Sequence, residues 1–346
     1  MSANKEVKFK TIIYSVIIIV IGYTIIIGSL IYLFGIDNRL TRKTARVIPY
    51  PAAIVGANFI TVNKLLSQLG SAKTFYENQD FGSFGLRVDF STDDGKKRLK
   101  IKEKNILNKL IENSIIESEA RDRGIKITSD IIDQAVDRKL KEYGTDEYLR
   151  QNLKKLYGWE MEDFKENIVK PDLYKEKLFQ DIKKNDSSYA QAQERINAAQ
   201  KDLAGGKKFE EVAAKYSEGK SADRGGELGW FDASQMLPEI ALAVLILNKG
   251  QTSEVIESSI GYHIVKVEDK KNEDNENKIK ISQVYIKTKP FSDWITEMEK
   301  NKKIIILPRD FKWNADLSQV EFRSEKMKNF EKNLVKNSPD DISVMF

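Results

Sequence analysis

The sequence contains no cysteine and only one histidine. The first absence removes disulfides, thiolate nucleophiles and cysteine-ligated zinc. The second removes histidine-cluster metal sites, because His263 has no imidazole partner. Neither sign of charge dominates: 57 Lys and Arg stand against 52 Asp and Glu, for a net +5. The two signs are interleaved, which argues against the basic stripe of a nucleic-acid-binding protein. No metal or cofactor pattern and no long repeat is present, so none of these is expected. Lack of cysteine agrees with an extracytoplasmic protein that does not depend on oxidation. At 346 residues, 41% hydrophobic and 32% charged, the chain has room for two or three globular, strongly solvated domains.

Thr11 to Phe34 carries no charge and is rich in isoleucine. As a helix rising ~1.5 Å per residue it would reach about 36 Å, enough to cross a hydrocarbon core with some tilt. A cleavable signal would have an apolar core of about 7–15 residues followed by a small-x-small site. This run ends instead in Leu33-Phe34-Gly35-Ile36-Asp37, and it is read as a retained single-pass anchor in the cytoplasmic membrane. Lys5, Lys8 and Lys10 precede it and Arg39, Arg42, Lys43 and Arg46 follow it, so charge alone does not orient it.

Composition divides the rest. Residues 1–10 read as a tail, 11–34 as the transmembrane helix and 35–50 as a basic linker. Residues 51–186 read as a helical domain, 187–288 as a smaller α+β domain and 289–346 as an extension with helix potential near Glu321 to Val335. Within the helical domain, Pro51 to Val62 is strand-like with a turn at Gly56, and a helix follows from Thr61 to about Tyr76. Asn78 to Gly95 is loop-like. Ile106, Leu107, Leu110, Ile111, Ile115 and Ala120 recur at helical spacing and stop at Gly124. Thr128 or Ser129 caps a further helix, Gly144 and Gly158 end two more, and Pro171 suits the first turn of another. From 187 onward the order is helix, helix, strand (Glu227–Phe231), helix, strand, strand (Tyr262–Val267). A charged loop, Asp269 to Lys278, leads to an alternating strand ending near Thr288.

Two glycine-bearing stretches carry the chemistry, Gly225-Gly-Glu-Leu-Gly-Trp-Phe231 and Gly261-Tyr-His-Ile-Val-Lys-Val267. With Phe209 to Ser217, Ser221-Ala222, Gln235-Met236-Leu-Pro238 and Lys249-Gly250, they form an ordered set. Over Ser187 to Asp269 the chain resembles the parvulin-type peptidyl-prolyl isomerases. The helical region resembles the chaperone domain of SurA-type foldases, through Leu107 to Ala120, Gly124-Ile-Lys-Ile-Thr128, Tyr157-Gly-Trp159 and Asp163-Phe164.

The resemblance implies an α+β chain: a membrane helix, a helical SurA-like domain, and a parvulin domain with a four-stranded antiparallel sheet. It implies a membrane-anchored foldase acting on unfolded or nascent secreted polypeptides on the extracytoplasmic face. Such a foldase catalyses X-Pro cis–trans isomerisation without metal or cofactor, and its alternative is a weak or inactive parvulin-fold chaperone. Leu228, Met236 and Ile240 fall on the proline cup, where the family usually has phenylalanine in place of Ile240, and Trp230 and Phe231 join this substrate-binding set. His263 falls on the second histidine of the family's pair, with a structural and a catalytic role both open. Gly219 stands where the family has cysteine or aspartate; Glu218 is a neighbouring carboxylate, and Ser258 and Ser259 read as loop serines. The family's first strand, with its other histidine, is missing ahead of Ser187. Lys280 to Thr288 resembles it, with Gln283 at the histidine position and in a catalytic pair with His263. Ile279 to Ile286 is therefore expected to fill the first-strand place, as in a circular permutation, unless it opens a second, degenerate unit.

Overall fold

The uncharged stretch becomes one helix, α1 (Ala3–Tyr32), in a computed structural model that describes residues 3–35, 38–78, 89–143, 145–273 and 276–337. Its Phe9–Tyr32 segment has a mean hydropathy of 2.4, long and apolar enough to cross a membrane. The last turns of α1 are packed rather than bare. Ile27 is buried, Leu30, Ile31 and Tyr32 lie against the first core, and the Tyr50 hydroxyl donates to the Thr24 carbonyl at 2.8 Å. The expected linker is mostly helical, as α2 (Arg39–Val47). Asn38 accepts the Leu40 and Thr41 amides, and the Thr41 hydroxyl accepts the Asn38 amide. This capping box sits in a stretch whose charges gave no apolar rhythm to read.

A hairpin, β1 (Pro51–Val55) and β2 (Asn58–Thr61), leads to α3 (Val62–Asn78). The expected loop from Asn78 lies largely outside the described residues, and its last residues already belong to α4 (Asp93–Asp122), capped by the Thr92 hydroxyl. Next come α5 (Ser129–Tyr143), α6 (Asp146–Tyr157), which ends on left-handed Gly158, and the short α7 (Met161–Phe164). Gly144 lies outside the described residues. A π-helical segment, Lys165–Val169, joins α7 to α8 (Lys170–Asn185). Pro171 lies in the first turn of α8, as expected, but α8 follows the π segment without a break. It has no N–H, and in a regular α-helix its ring would meet the Asn167 carbonyl. The widened turn before it, in which the Lys170 N–H bonds the Lys165 carbonyl, relieves that clash.

The following elements are α9 (Ser187–Ala204), α10 (Phe209–Tyr216), β3 (Glu227–Asp232), α11 (Pro238–Ile246), β4 (Ile256–Ser258), β5 (Gly261–Glu273) and β6 (Glu276–Lys287). The strands form one antiparallel sheet in the order β3-β6-β5-β4. Strand β6 thus lies between β3 and β5, with His263 opposite Tyr285 and Val265 opposite Gln283. Most of the expected charged loop 269–278 is strand, because β5 and β6 continue as a two-stranded ribbon whose Lys and Glu residues show no apolar alternation.

One sheet face is closed by α9 and α10, where Ile196, Ala199, Val212 and Ala213 meet Tyr262, Ile264, Val284 and Ile286. The other carries Val265, Val267, Ile279 and Ile281 under Ile240 and Val244 of α11. Burying each such side chain contributes about 1.5–3 kcal/mol.

The last stretch has far more structure than one expected helix. It contains α12 (Phe291–Asn301), β7 (Ile304–Ile306), β8 (Phe311–Asn314), β9 (Gln319–Phe322) and α13 (Glu325–Asn337). β7 pairs with β1 in the sheet β2-β1-β7. Phe311, Val320 and Phe322 are buried in the core that holds Leu107 and Ile111, and Lys104 of α4 binds Glu331 of α13 at 2.6 Å. The chain accordingly divides into Met1–Lys177 with Thr296–Phe346, and Leu178–Ile295. Residues 296–346 belong to the first unit, and the divisions fall within α8 and α12 rather than at 186/187 and 288/289. Continuous helices leave no Gly- or Pro-rich signal at such a boundary.

Candidate active site

Two glycines shape the second unit where the motifs predicted turns. Gly226 has φ +82°, and a Cβ there would stand 2.5 Å from the Gln283 carbonyl oxygen, which fixes the turn against β6. Gly261 has φ +148°, and its Cβ would meet the Ile286 oxygen at 2.2 Å. These close approaches bring the turn before β3 and the start of β5 onto the strand that carries Gln283 and Tyr285.

His263 is 2% exposed. Its Nε2 lies 2.7 Å from Ser258 Oγ and its Nδ1 3.4 Å from Gln283 Oε1. Ser258 Oγ also accepts the Ile260 amide at 3.2 Å. Since Gln283 Oε1 can only accept, the proton sits on Nδ1, and the Ser258 hydroxyl has two acceptors in reach, His263 Nε2 at 2.7 Å and the Gly261 carbonyl at 3.2 Å. The Tyr285 ring stacks on the imidazole at 4.9 Å between centroids, and its hydroxyl donates to the Ile260 carbonyl at 2.9 Å. Burial holds the His263 pKa below its ordinary 6.5, opposed by the Gln283 hydrogen bond and by the charge of Glu239. At neutral pH His263 is an uncharged, fixed group.

Ile240 is buried, and half-buried Leu228, Phe231 and Met236 pack with it on the α11 side of the sheet, against Val265, Ile279 and Ile281. Trp230 is not among them. The β3 register shifts between Glu227 and Gly229, and Gly229 has φ +95°. Strand alternation therefore restarts after Gly229, so Phe231 faces Ile279 while Trp230 pairs with Lys280 on the opposite face. Trp230 is 38% exposed, with Lys271 Nζ 4.9 Å from its ring centroid.

Glu218 is committed elsewhere: it pairs with Arg195 and accepts the Lys287 amide at 2.8 Å. Gly219 lies beside Gln283 and Tyr285. A Cβ there would lie 3.8 Å from Gln283 Nε2 and 3.5 Å from Ser217 Oγ, ordinary contact distances. Sequence reasoning missed Ser258 and Tyr285. The antiparallel register was the available signal, since pairing Ser258 with Gly261 and His263 with Tyr285 puts both beside the imidazole.

Residues 7–183 match the SurA-like N-terminal domain, and residues 177–269 match the PPIC-type PPIase domain, Rotamase. The chain belongs to the SurA-like family and carries a parvulin rotamase domain. Among curated relatives, the foldase protein PrsA of Bacillus subtilis is 31% identical over 47% of this chain and 58% of its own length. The chaperone SurA of Chromobacterium violaceum is 32% identical over 32% of this chain and 27% of its own. A match to about half of one relative and a quarter of the other leaves much of each outside the comparison. The peptidylprolyl isomerase PrsA of Bacillus anthracis aligns at 22% identity and a TM-score of 0.20, over 68% of this chain and 97% of that one. The rotamase match ends at Asp269, before β6. The strand that completes the sheet of this SurA-like chain, and that supplies Gln283, comes from beyond it.

Proposed function

We propose that the protein is a foldase held by α1 at the outer face of the cytoplasmic membrane, and that its second unit binds X-Pro stretches of unfolded polypeptide and accelerates their isomerisation. Turning an X-Pro bond breaks amide resonance, against a barrier of ~18–20 kcal/mol. A twisted amide is less dipolar than a planar one, so an apolar, water-poor cup disfavours the ground state relative to the transition state. Leu228, Phe231, Met236 and Ile240 supply that cup. The observation that carries the reading is their position on the same sheet face as the buried, neutral His263–Gln283 pair. Gln283 and Ser258 fix the imidazole tautomer, and no proton transfer or covalent step is needed. With Gly219 offering no polar group and Gln283 unable to titrate, the rate is expected to be modest.

The test is a refolding reaction limited by X-Pro isomerisation, with the full chain in detergent. The slow phase should accelerate in proportion to protein concentration, and Met236→Lys, which puts a charge in the cup, should abolish the effect. Gly219→Asp with Gln283→His should increase it several-fold. Gly219 and Gln283 also favour a second reading, a chaperone that binds peptides on the parvulin fold without catalysis. Retained binding to unfolded chains with an unchanged slow phase would select it.

A further inference from the structure

As a membrane anchor, α1 is constrained by what it touches. The Tyr23 hydroxyl lies 2.8 Å from Thr44 Oγ1 of α2, the Tyr50 hydroxyl donates to the Thr24 carbonyl, and the Tyr32 hydroxyl donates to the Pro51 carbonyl at 2.8 Å. All these residues belong to the first unit. The part of the apolar span ahead of these contacts, Phe9 to Gly22, rises only about 21 Å at ~1.5 Å per residue. A hydrocarbon core is about 30 Å thick. The next turn of α1 keeps Ile25 and Ile26 exposed. A membrane-spanning α1 therefore brings Tyr23, and α2 beside it, down to the lipid surface.

The residues of α2 suit that position. Arg39 to Val47 includes four basic side chains and no acidic one, and buries Thr41, Thr44 and Ala45. Arg39, Lys43 and Arg46 are exposed and recur at intervals of four and three, so they share one face of the helix. Leu40 stands four residues before Thr44 and Val47 three after it, which makes both its neighbours on the helix surface. They are 52% and 82% exposed. The apolar pair thus lies next to the residue that bonds α1, with the basic stripe further round. Leu33 and Phe34, after the last turn of α1, are exposed as well. Apolar side chains nearest the span and cations beyond them match the order of acyl chains and phosphates at a bilayer surface.

We propose that α2 is an interfacial helix lying on the leaflet into which α1 emerges, with Leu40 and Val47 in the acyl boundary and Arg39, Lys43 and Arg46 on the phosphates of anionic phospholipids. The proposal rests on the membrane-anchor reading above and is independent of the isomerase reading. Such docking holds the first unit at the bilayer surface instead of on a swinging linker.

The chain's lack of cysteine allows one label per molecule in the full-length protein. Val47→Cys, carrying the fluorophore NBD, is reconstituted in vesicles of phosphatidylcholine alone or mixed with phosphatidylglycerol, each doped with a doxyl lipid as quencher. The control is the same label in Tyr148→Cys, at an exposed residue of α6. α3 starts against Tyr50 and runs for 17 residues, about 25 Å, before Asn78 bonds the Lys155 carbonyl of α6. Expected are quenching at 47 but not at 148, and at least twofold stronger quenching at 47 in the anionic vesicles. That twofold difference should vanish in Arg39→Gln/Lys43→Gln/Arg46→Gln. An unquenched label at 47 in both vesicles, or equal quenching at 47 and 148, would overturn the docking. Equal quenching at 47 in the two lipids, or a difference that survives the triple substitution, would overturn the phosphate contacts. If circular dichroism shows the triple variant unfolded, salt at about 0.5 M, which screens exposed charges, decides by the same criterion on the unsubstituted stripe. Extraction at alkaline pH is measured alongside. Protein stripped from both vesicles removes the anchor reading and this proposal with it, whereas retained protein with the label at 47 in water removes this proposal alone.

Discussion

The two faces of the second unit's sheet are built from the same strands to different ends. On the α9–α10 face, Ile264 and Val284 are fully buried among aliphatic side chains. On the α11 face, a step of one residue along β5 and β6 brings His263, Gln283 and Tyr285 into a polar, hydrogen-bonded group beside a half-buried apolar cup. The period of two along a strand puts Ile264 and Val284 in one core and places His263 and Gln283, beside the buried Val265 and Ile281, on the face proposed to bind proline. The difference teaches that substitutions one position apart should separate stability from activity.

The largest expected effect is on the closed face. Ile264→Ala should destabilise the second unit by about 2–5 kcal/mol, the usual cost of emptying a buried isoleucine site, read as a lower urea midpoint. A loss of isomerisation with no change in that midpoint would blur the distinction between faces. On the open face, Ser258→Ala removes the donor to His263 Nε2 and leaves a buried acceptor unpaired. The expected cost is about 1–3 kcal/mol, with altered imidazole nitrogen shifts by NMR.

A pH series sharpens the contrast further. The folded pKa of His263 lies below its ordinary 6.5 because burial disfavours the cation, so in that window the unfolded chain binds more protons. The contribution of His263 to stability is present above about 6.5 and is lost as pH falls toward the depressed folded value. The difference in urea midpoint between wild type and His263→Gln should therefore change between pH 7.5 and pH 5, and a constant difference would contradict a buried neutral imidazole. The smallest effect should come from Trp230→Ala. Its ring is outside the cup, so isomerisation should change by less than about twofold and stability by about 0.5 kcal/mol, as for ordinary surface substitutions.

Much of this second unit was legible. Gly225–Phe231 and Gly261–Val267 mark positions where only glycine fits the backbone, so a local motif reported a tertiary contact. The return of β6 beside β5 followed from its alternating pattern and the resemblance of Lys280 to Thr288 to a missing strand. Trp230 and Phe231, named together, lie on opposite faces of β3, where the register shifts before Gly229. Ser258 reads as a loop serine, and Tyr285, although inside the Lys280–Thr288 strand, stands at no position to which the resemblance gives a role; only cross-strand register places them beside His263. In the first unit, β7, β8 and β9 are three or four residues long, too short for a period to show. Their burial depends on partners such as Leu107 and Ile111, distant in sequence. The π turn ahead of Pro171 has a local cause, but one proline fits equally well at a helix start.

The most direct measurement is exchange NMR on a short Ala-Pro peptide with the full chain in detergent, reading cis–trans exchange together with proline-ring shifts. Expected are faster exchange and shifted ring resonances with wild type, both lost in Met236→Lys, and faster exchange still with Gly219→Asp/Gln283→His. Uncatalysed exchange and unperturbed proline shifts in the presence of folded wild-type protein would contradict a proline site on the α11 face.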